Sequence, residues 1–199
     1  MEDGPDEPPP GPAGSAVVPG ADPVAWRLFA LLVRRSRGPT ELAEDLLGRP
    51  VRSRLLGEGE LARIAPPGLA RLGTTGPVLR RHVLLTDSAP PHLPVAVSWS
   101  VVVPWRLPEA VATALRSGGE PLDRLLADHG LSWTAEPVES ETLPVAEAST
   151  AFPWAPAGSF LVEQARVVHV GGIPVAITID EIPFLPPLDP DTPLLPATD

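Results

Sequence analysis

Residues 160–184, FLVEQARVVHVGGIPVAITIDEIPF, carry the pattern on which the fold turns. Both halves are rich in β-branched residues, and Gly171-Gly172 between them is a permissive turn. The stretch is therefore expected to be a β-hairpin with strands from Leu161 to Val170 and from Pro174 to Ile182. Side chains alternate across a strand, so Val175, Ile177, Ile179 and Glu181 share one face and Ala176, Thr178, Asp180 and Ile182 the other. Glu181 ends a row that is otherwise aliphatic. A carboxylate in that setting is either a solvated charge at a sheet edge or an acid/base poised in a pocket.

Moving outward from the hairpin, Val95 to Val103 (VAVSWSVVV) is the most strand-like run in the chain and is expected at the centre of the sheet. Val51 to Leu56 and Val78 to Leu85 read as two more strands. Each carries paired arginines, Arg52 with Arg54 and Arg80 with Arg81. A strand arginine ordinarily extends its head to solvent, but one from each strand facing a shared cavity would form an anion site suited to a carboxylate. Leu131 to Val138 and Glu139 to Val145 alternate loosely, as one bent strand or two short ones.

Helical periodicity accounts for the rest. Pro23 to Arg35 is an amphipathic helix with Val24, Leu28, Leu31 and Leu32 on one face and Phe29 and Val33 adjoining, introduced by Asp22-Pro23 as N-cap and first helical position. Thr40 begins a second helix with Glu41 and Glu44 in its first turn, stopped by Gly48-Arg49-Pro50. This pair could be a DNA-reading hairpin, but the second helix is acidic and offers no basic face. Pro108 to Arg116 and Pro121 to Asp128 are further helices, the latter burying Leu122, Leu125 and Leu126. Ala65 to Pro77 reads as a connection, and Ala146 to Ala157 as helical or irregular. The first 22 residues and the segment from 187 to 199 are rich in Pro and are expected to be tails without regular structure.

Composition narrows the chemistry. A chain of 199 residues is long enough for one domain with a real core, and its formal net charge of -10 opposes nucleic acid or an anionic membrane as partner. Every fixed cation is Arg, and Lys, Cys, Tyr and Asn are absent. Schiff-base and P-loop lysines, thiol nucleophiles, disulfides and cysteine metal sites are thereby excluded. His82, His92, His129 and His169 fall on separate elements without metal-ligand spacing. Ser98 and Ser100 lie in a strand rather than a nucleophile elbow. No apolar run approaches the length of a membrane span, so a soluble, cytoplasmic protein is expected.

The order of elements, together with LLVRRSRGPTELAEDLLGRPVRSRLLGEGE, LRRHVLL, PVAVSWSVVVPWRLPE, GGEPLDRLLADHGL and GGIPVAITIDEIPF, resembles the chorismate pyruvate-lyase superfamily. That group includes chorismate lyases and the UTRA effector domains of GntR-type regulators, and the resemblance covers about Pro23 to Pro186. It implies an α+β fold, a single curved antiparallel sheet with helices packed on it and a buried ligand pocket. It also implies elimination of pyruvate from chorismate to give 4-hydroxybenzoate, with no metal or coenzyme. By the same resemblance Glu181 matches the acid/base position, Arg81 and Arg166 match arginine positions, and Leu55 and Leu122 match pocket walls.

Two departures stand beside these matches. The lyases' central-strand arginine, which binds a substrate carboxylate, has no counterpart among Val97, Ser98, Trp99 and Ser100, and Trp99 is the residue there that could reshape a pocket. The glycine of the family's P-L-G turn is Asp123 here. Loss of a charge-assisted carboxylate contact costs about 1.5 to 3 kcal/mol.

Two functions follow as expectations. The first is a lyase with Glu181 as acid/base and Arg81 and Arg166 as anion clamps. The second is a non-catalytic small-molecule binding or accessory protein with a UTRA-like fold. Either would bind an aromatic or cyclohexadiene carboxylate as a monomer or homodimer. The short polar stretch before Pro23 is too small for a winged helix, which weighs against a regulator.

Overall fold

The computed structural model describes residues 23–57, 66–145, 150–155 and 159–184, and both expected tails lie outside them. Of the stretch expected to be helical or irregular after Val145, residues 150–155 are irregular and the remainder lies outside the described residues. The helices are α1 (Pro23–Arg35), α2 (Pro39–Leu47), α3 (Pro66–Arg71), α4 (Glu109–Ser117) and α5 (Leu122–Asp128). The strands are β1 (Val51–Gly57), β2 (Leu79–Asp87), β3 (Pro94–Val102), β4 (Trp133–Pro144), β5 (Phe160–Val170) and β6 (Ile173–Pro183), with a 3-10 turn at Pro104–Arg106. They form one six-stranded antiparallel sheet in the order β1-β2-β3-β6-β5-β4. No helix among the described residues is long and apolar enough to cross a membrane.

The hairpin forms as its sequence dictates. Gly171 and Gly172 both take positive φ, 57° and 78°, the left-handed conformation that a two-residue turn matching strand twist requires. β6 then pairs with β3, which places VAVSWSVVV inside the sheet as expected. The loosely alternating stretch after Leu131 is one strand, β4, whose register shifts between Pro137 and Glu139. A proline cannot donate to the ladder, and a bulge beside one is a common accommodation. The expected connection between Ala65 and Pro77 contains a helix, α3, opened by Pro66-Pro67; proline's fixed φ suits a first helical turn.

The sheet has two covered faces. On one, α1 and α2 bury Phe29, Val33, Leu42 and Ala43 against Val83, Leu85, Ala96, Val162 and Ile182. On the same face α4 and α5 bury Val111, Leu115, Leu122, Leu125 and Leu126 against Val102, Val168 and Ala176. The opposite face packs Leu72 on Val101, Ile177 and Ile179, and Phe152 on Leu84, Val97 and Leu161.

α1 is rotated relative to the expected face. Among its described side chains Phe29 and Val33 are buried, while Leu28, Leu31 and Leu32 remain 57%, 44% and 47% exposed. Phe29 draws the helix round because its ring packs on Phe184 at a centroid distance of 5.1 Å.

Candidate functional site

Between the two helical clusters, the helix-covered face of the sheet is polar. Strand register sets Arg81, Ser100, Thr178 and Arg166 in one row across β2, β3, β6 and β5. The next row is Val83, Ser98, Asp180 and Gln164. All of the polar members are buried, Gln164 and Asp180 completely. A buried polar atom without a hydrogen bond is costly, so such a belt persists where its members partner one another or await a ligand.

Part of the belt is internally satisfied around Asp180, although Arg166 Nε is buried without a hydrogen-bond partner among the described residues. Ser98 Oγ donates to Asp180 Oδ1 at 2.6 Å and Arg166 Nη2 donates to Asp180 Oδ2 at 2.6 Å. Thr178 Oγ1 donates more weakly to Oδ2 at 3.3 Å. Arg166 Nη1 also donates to the Ser36 carbonyl at 2.9 Å, which ties the turn between α1 and α2 down onto the sheet. Such a pair has its charges desolvated together and is held by geometry and added hydrogen bonds.

Arg81 is different. It is 3% exposed, and Nη2 donates to the Gly118 carbonyl at 2.8 Å, but Nε and Nη1 are buried without a hydrogen-bond partner among the described residues. Burial pulls its guanidinium below the ordinary value, only partly offset by the field of Glu120. Gln164 Oε1 and Nε2 are likewise buried and unpaired among the described residues. The belt thus offers two guanidinium donors at one end and an uncommitted amide at the other.

Over the belt sits Asp123, in the first turn of α5. Its Oδ2 accepts from Thr40 N at 3.0 Å and its Oδ1 from Thr40 Oγ1 at 2.9 Å, so it satisfies the amino end of α2 across the helix interface. Desolvation raises its pKa, opposed by the Thr40 hydrogen bonds and reinforced by the nearby Asp180 charge. Gly38 permits this approach, because a Cβ there would lie 2.2 Å from Asp123 Oδ2. A small cavity of about 20 Å³ lies beneath, lined by Gly38, Asp123, Ser98, Thr178 and Asp180 among others. Outside is a cavity of about 330 Å³ whose walls include Glu41, Glu44, Asp45, Asp128 and Trp133.

The expected site residues divide between the two faces. Arg81, Arg166 and Leu122 are brought to the helix-covered face, Leu122 directly against the small cavity. Leu55 shares that face through its pairing with Val83, at the sheet margin and 42% exposed. Arg80, Arg52 and Arg54 are exposed, so Arg81 is the inward member of its pair.

Glu181 and Trp99 lie on the other face. Glu181 pairs with Val97 and Glu163 and is 2% exposed, and Trp99 pairs with Ile179 and stacks on His82 at 3.4 Å. The expectation that Glu181 shares a cavity with the arginines is corrected by this alternation. The carboxylate that meets Arg166 is its neighbour Asp180. Trp99 likewise faces away from the belt and cannot shape it.

No protein-family model matches the chain, and no curated protein matches it. Solved structures do. The described architecture is the α+β, chorismate lyase- and UTRA-like fold, and the chain is similar to PhnF from Mycobacterium smegmatis with a TM-score of 0.53 at 18% identity. That match covers 73% of this chain and 63% of PhnF, so the chain spans less than two thirds of that protein. The effector domain of the same PhnF matches with a TM-score of 0.53 at 17% identity, covering 73% of this chain and 88% of the domain.

Proposed function

We propose that this chain is a small-molecule-binding domain whose ligand lies along the polar belt and presents an anionic group to Arg81. The observation that carries the reading is Arg81 itself, a buried guanidinium with two nitrogens lacking hydrogen-bond partners among the described residues. A carboxylate is the natural complement of such a fork. The opposite end of the belt carries the uncommitted amide of Gln164, which both donates and accepts, so hydroxylated aromatic carboxylates and amino acids are the ligand classes of choice. The likeness to a domain described as the effector domain of PhnF accords with a binding rather than a catalytic use of the fold.

The lyase reading has weaker support. Elimination needs an acid/base within reach of the bound substrate. Glu181 faces away from the arginines, while Asp180 is engaged by Ser98, Thr178 and Arg166.

Thermal-shift and calorimetric titration with a panel of hydroxylated aromatic carboxylates and amino acids tests the proposal. A stabilising ligand should lose about tenfold to a hundredfold in affinity in Arg81→Gln, the loss expected for a charge-assisted hydrogen bond. Binding indifferent to that substitution would move the site elsewhere. Pyruvate and hydroxybenzoate released from chorismate, and lost in Glu181→Gln, would reinstate the lyase.

A further inference from the structure

Asp123 stands at the junction of the two cavities described above. It lines both the small inner one over Ser98, Thr178 and Asp180 and the larger outer one, and Arg37 and Trp133 are shared between them in the same way. The inner cavity, at about 20 Å³, has room for about a single water. The outer, at about 330 Å³, is of a size that small-molecule sites commonly have. Asp123 shares the boundary with Arg37 and Trp133, and its carboxylate is held there by hydrogen bonds from Thr40 N and Oγ1 and from Arg124 N at 2.9 Å, beside a glycine that leaves no room for a Cβ.

We propose that Asp123 is a plug: its carboxylate, latched on Thr40, closes the passage from the outer vestibule to the polar belt, and the belt becomes accessible from that side when the side chain swings away. The inference rests on the binding reading for its purpose, since it regulates entry to the same belt. The latch is a rotamer change at one residue and requires no unfolding of α5, because the helix's stripe of Leu122, Leu125 and Leu126 remains packed on Val102, Val168 and Ala176.

The latch also sets what enters. The vestibule wall holds Glu41, Glu44, Asp45 and Asp128 beside Asp123, against the guanidinium groups of Arg37 and Arg124. Arg124 is itself engaged by Glu44 and lies 3.7 Å from Glu120. Such a mouth repels a leading anion and admits a ligand whose neutral or cationic end goes in first. A molecule that enters so would still have to carry its anionic group past to Arg81, or present it from the β1 side.

The absence of cysteine from the chain gives a direct test of the passage without a known ligand. Thr178→Cys puts a single thiol on the inner cavity wall. Its alkylation by iodoacetamide is measured alone and combined with Asp123→Ala. Val101→Cys, on the opposite face and 1% exposed, reports general loosening of the fold in the same two backgrounds.

The proposal expects labelling of the Thr178→Cys thiol to accelerate about tenfold or more when Asp123 is removed, as for loss of a hydrogen bond to a charged group, with labelling of the Val101→Cys thiol unchanged. No acceleration in the Thr178→Cys chain, or an equal acceleration in both, overturns it. Should Asp123→Ala fail to fold, Gly38→Ala ejects the same carboxylate from the other side and must give the same selective acceleration. These rates read the passage alone. A chain that opens as expected yet binds none of the panel would sink the binding reading and leave the plug standing.

Discussion

At the scale of single residues, charge placement separates what is held from what is available. Arg166 and Asp180 are both buried and hydrogen-bonded to one another, so removing either strands the other in a desolvated place. Asp180→Ala and Arg166→Ala should each cost about 3 to 5 kcal/mol of stability in urea unfolding, whereas the double substitution should cost clearly less than the sum. An additive double mutant would mean that the two charges do not depend on each other.

Asp123 carries the opposite kind of charge, one the fold would rather not ionise. Its folded-state pKa is raised above the ordinary 3.8 by desolvation. The folded chain therefore binds this proton more tightly than the unfolded chain does. The group favours folding most at low pH, and that advantage is lost as pH rises from about 3.8 through the raised value. Urea titrations across that range should show the parent losing stability relative to Asp123→Asn, with the difference levelling off above the raised pKa. A parent that gained on the variant with rising pH would reverse the assignment of the dominant effect.

At the scale of elements, the hairpin of β5 and β6 shows what was legible in the chain and what was not. Its strands, its turn and the two faces of β6 follow from β-branched content, paired glycines and alternation, and all three appear in the structure. The choice between the faces did not follow. Glu181 drew attention as the one acid in an aliphatic row, yet the residues of the proposed site occupy the row beside it. Gln164-x-Arg166 on β5, Thr178-x-Asp180 on β6 and Ser98-x-Ser100 on β3 each set two polar residues on one face of a strand otherwise fit for burial. Matching these three spacings requires the strand register, which is tertiary information.

The rotation of α1 has the same cause. Periodicity marks both its leucine stripe and Phe29 with Val33, and only the position of Phe184 decides between them. The turn itself can be tested. Gly171→Ala and Gly172→Ala force a Cβ into left-handed backbone and should each cost about 1 to 2 kcal/mol by thermal or urea unfolding. Losses within a few tenths would mean that the turn relaxes to another type.

At the scale of the whole molecule, the sheet is shared by two apolar clusters on one face, with the belt between them. The clusters gathered under α1 and α2 and under α4 and α5 touch different ends of the same strands. Across the gap, among the described residues, run a few directional ties, chiefly Arg166 to Ser36, Arg81 to Gly118 and Asp123 to Thr40. Apolar packing in each cluster is collective and tolerant, whereas these ties are few and particular.

Such a belt is a seam in the mechanical sense. The sheet beneath runs through unbroken, but the helical layer above it is pegged across the gap by these few hydrogen bonds, and a guest lodged there would fasten its two sides together. The sparsest joint in the helical layer is also where the proposed ligand would lie.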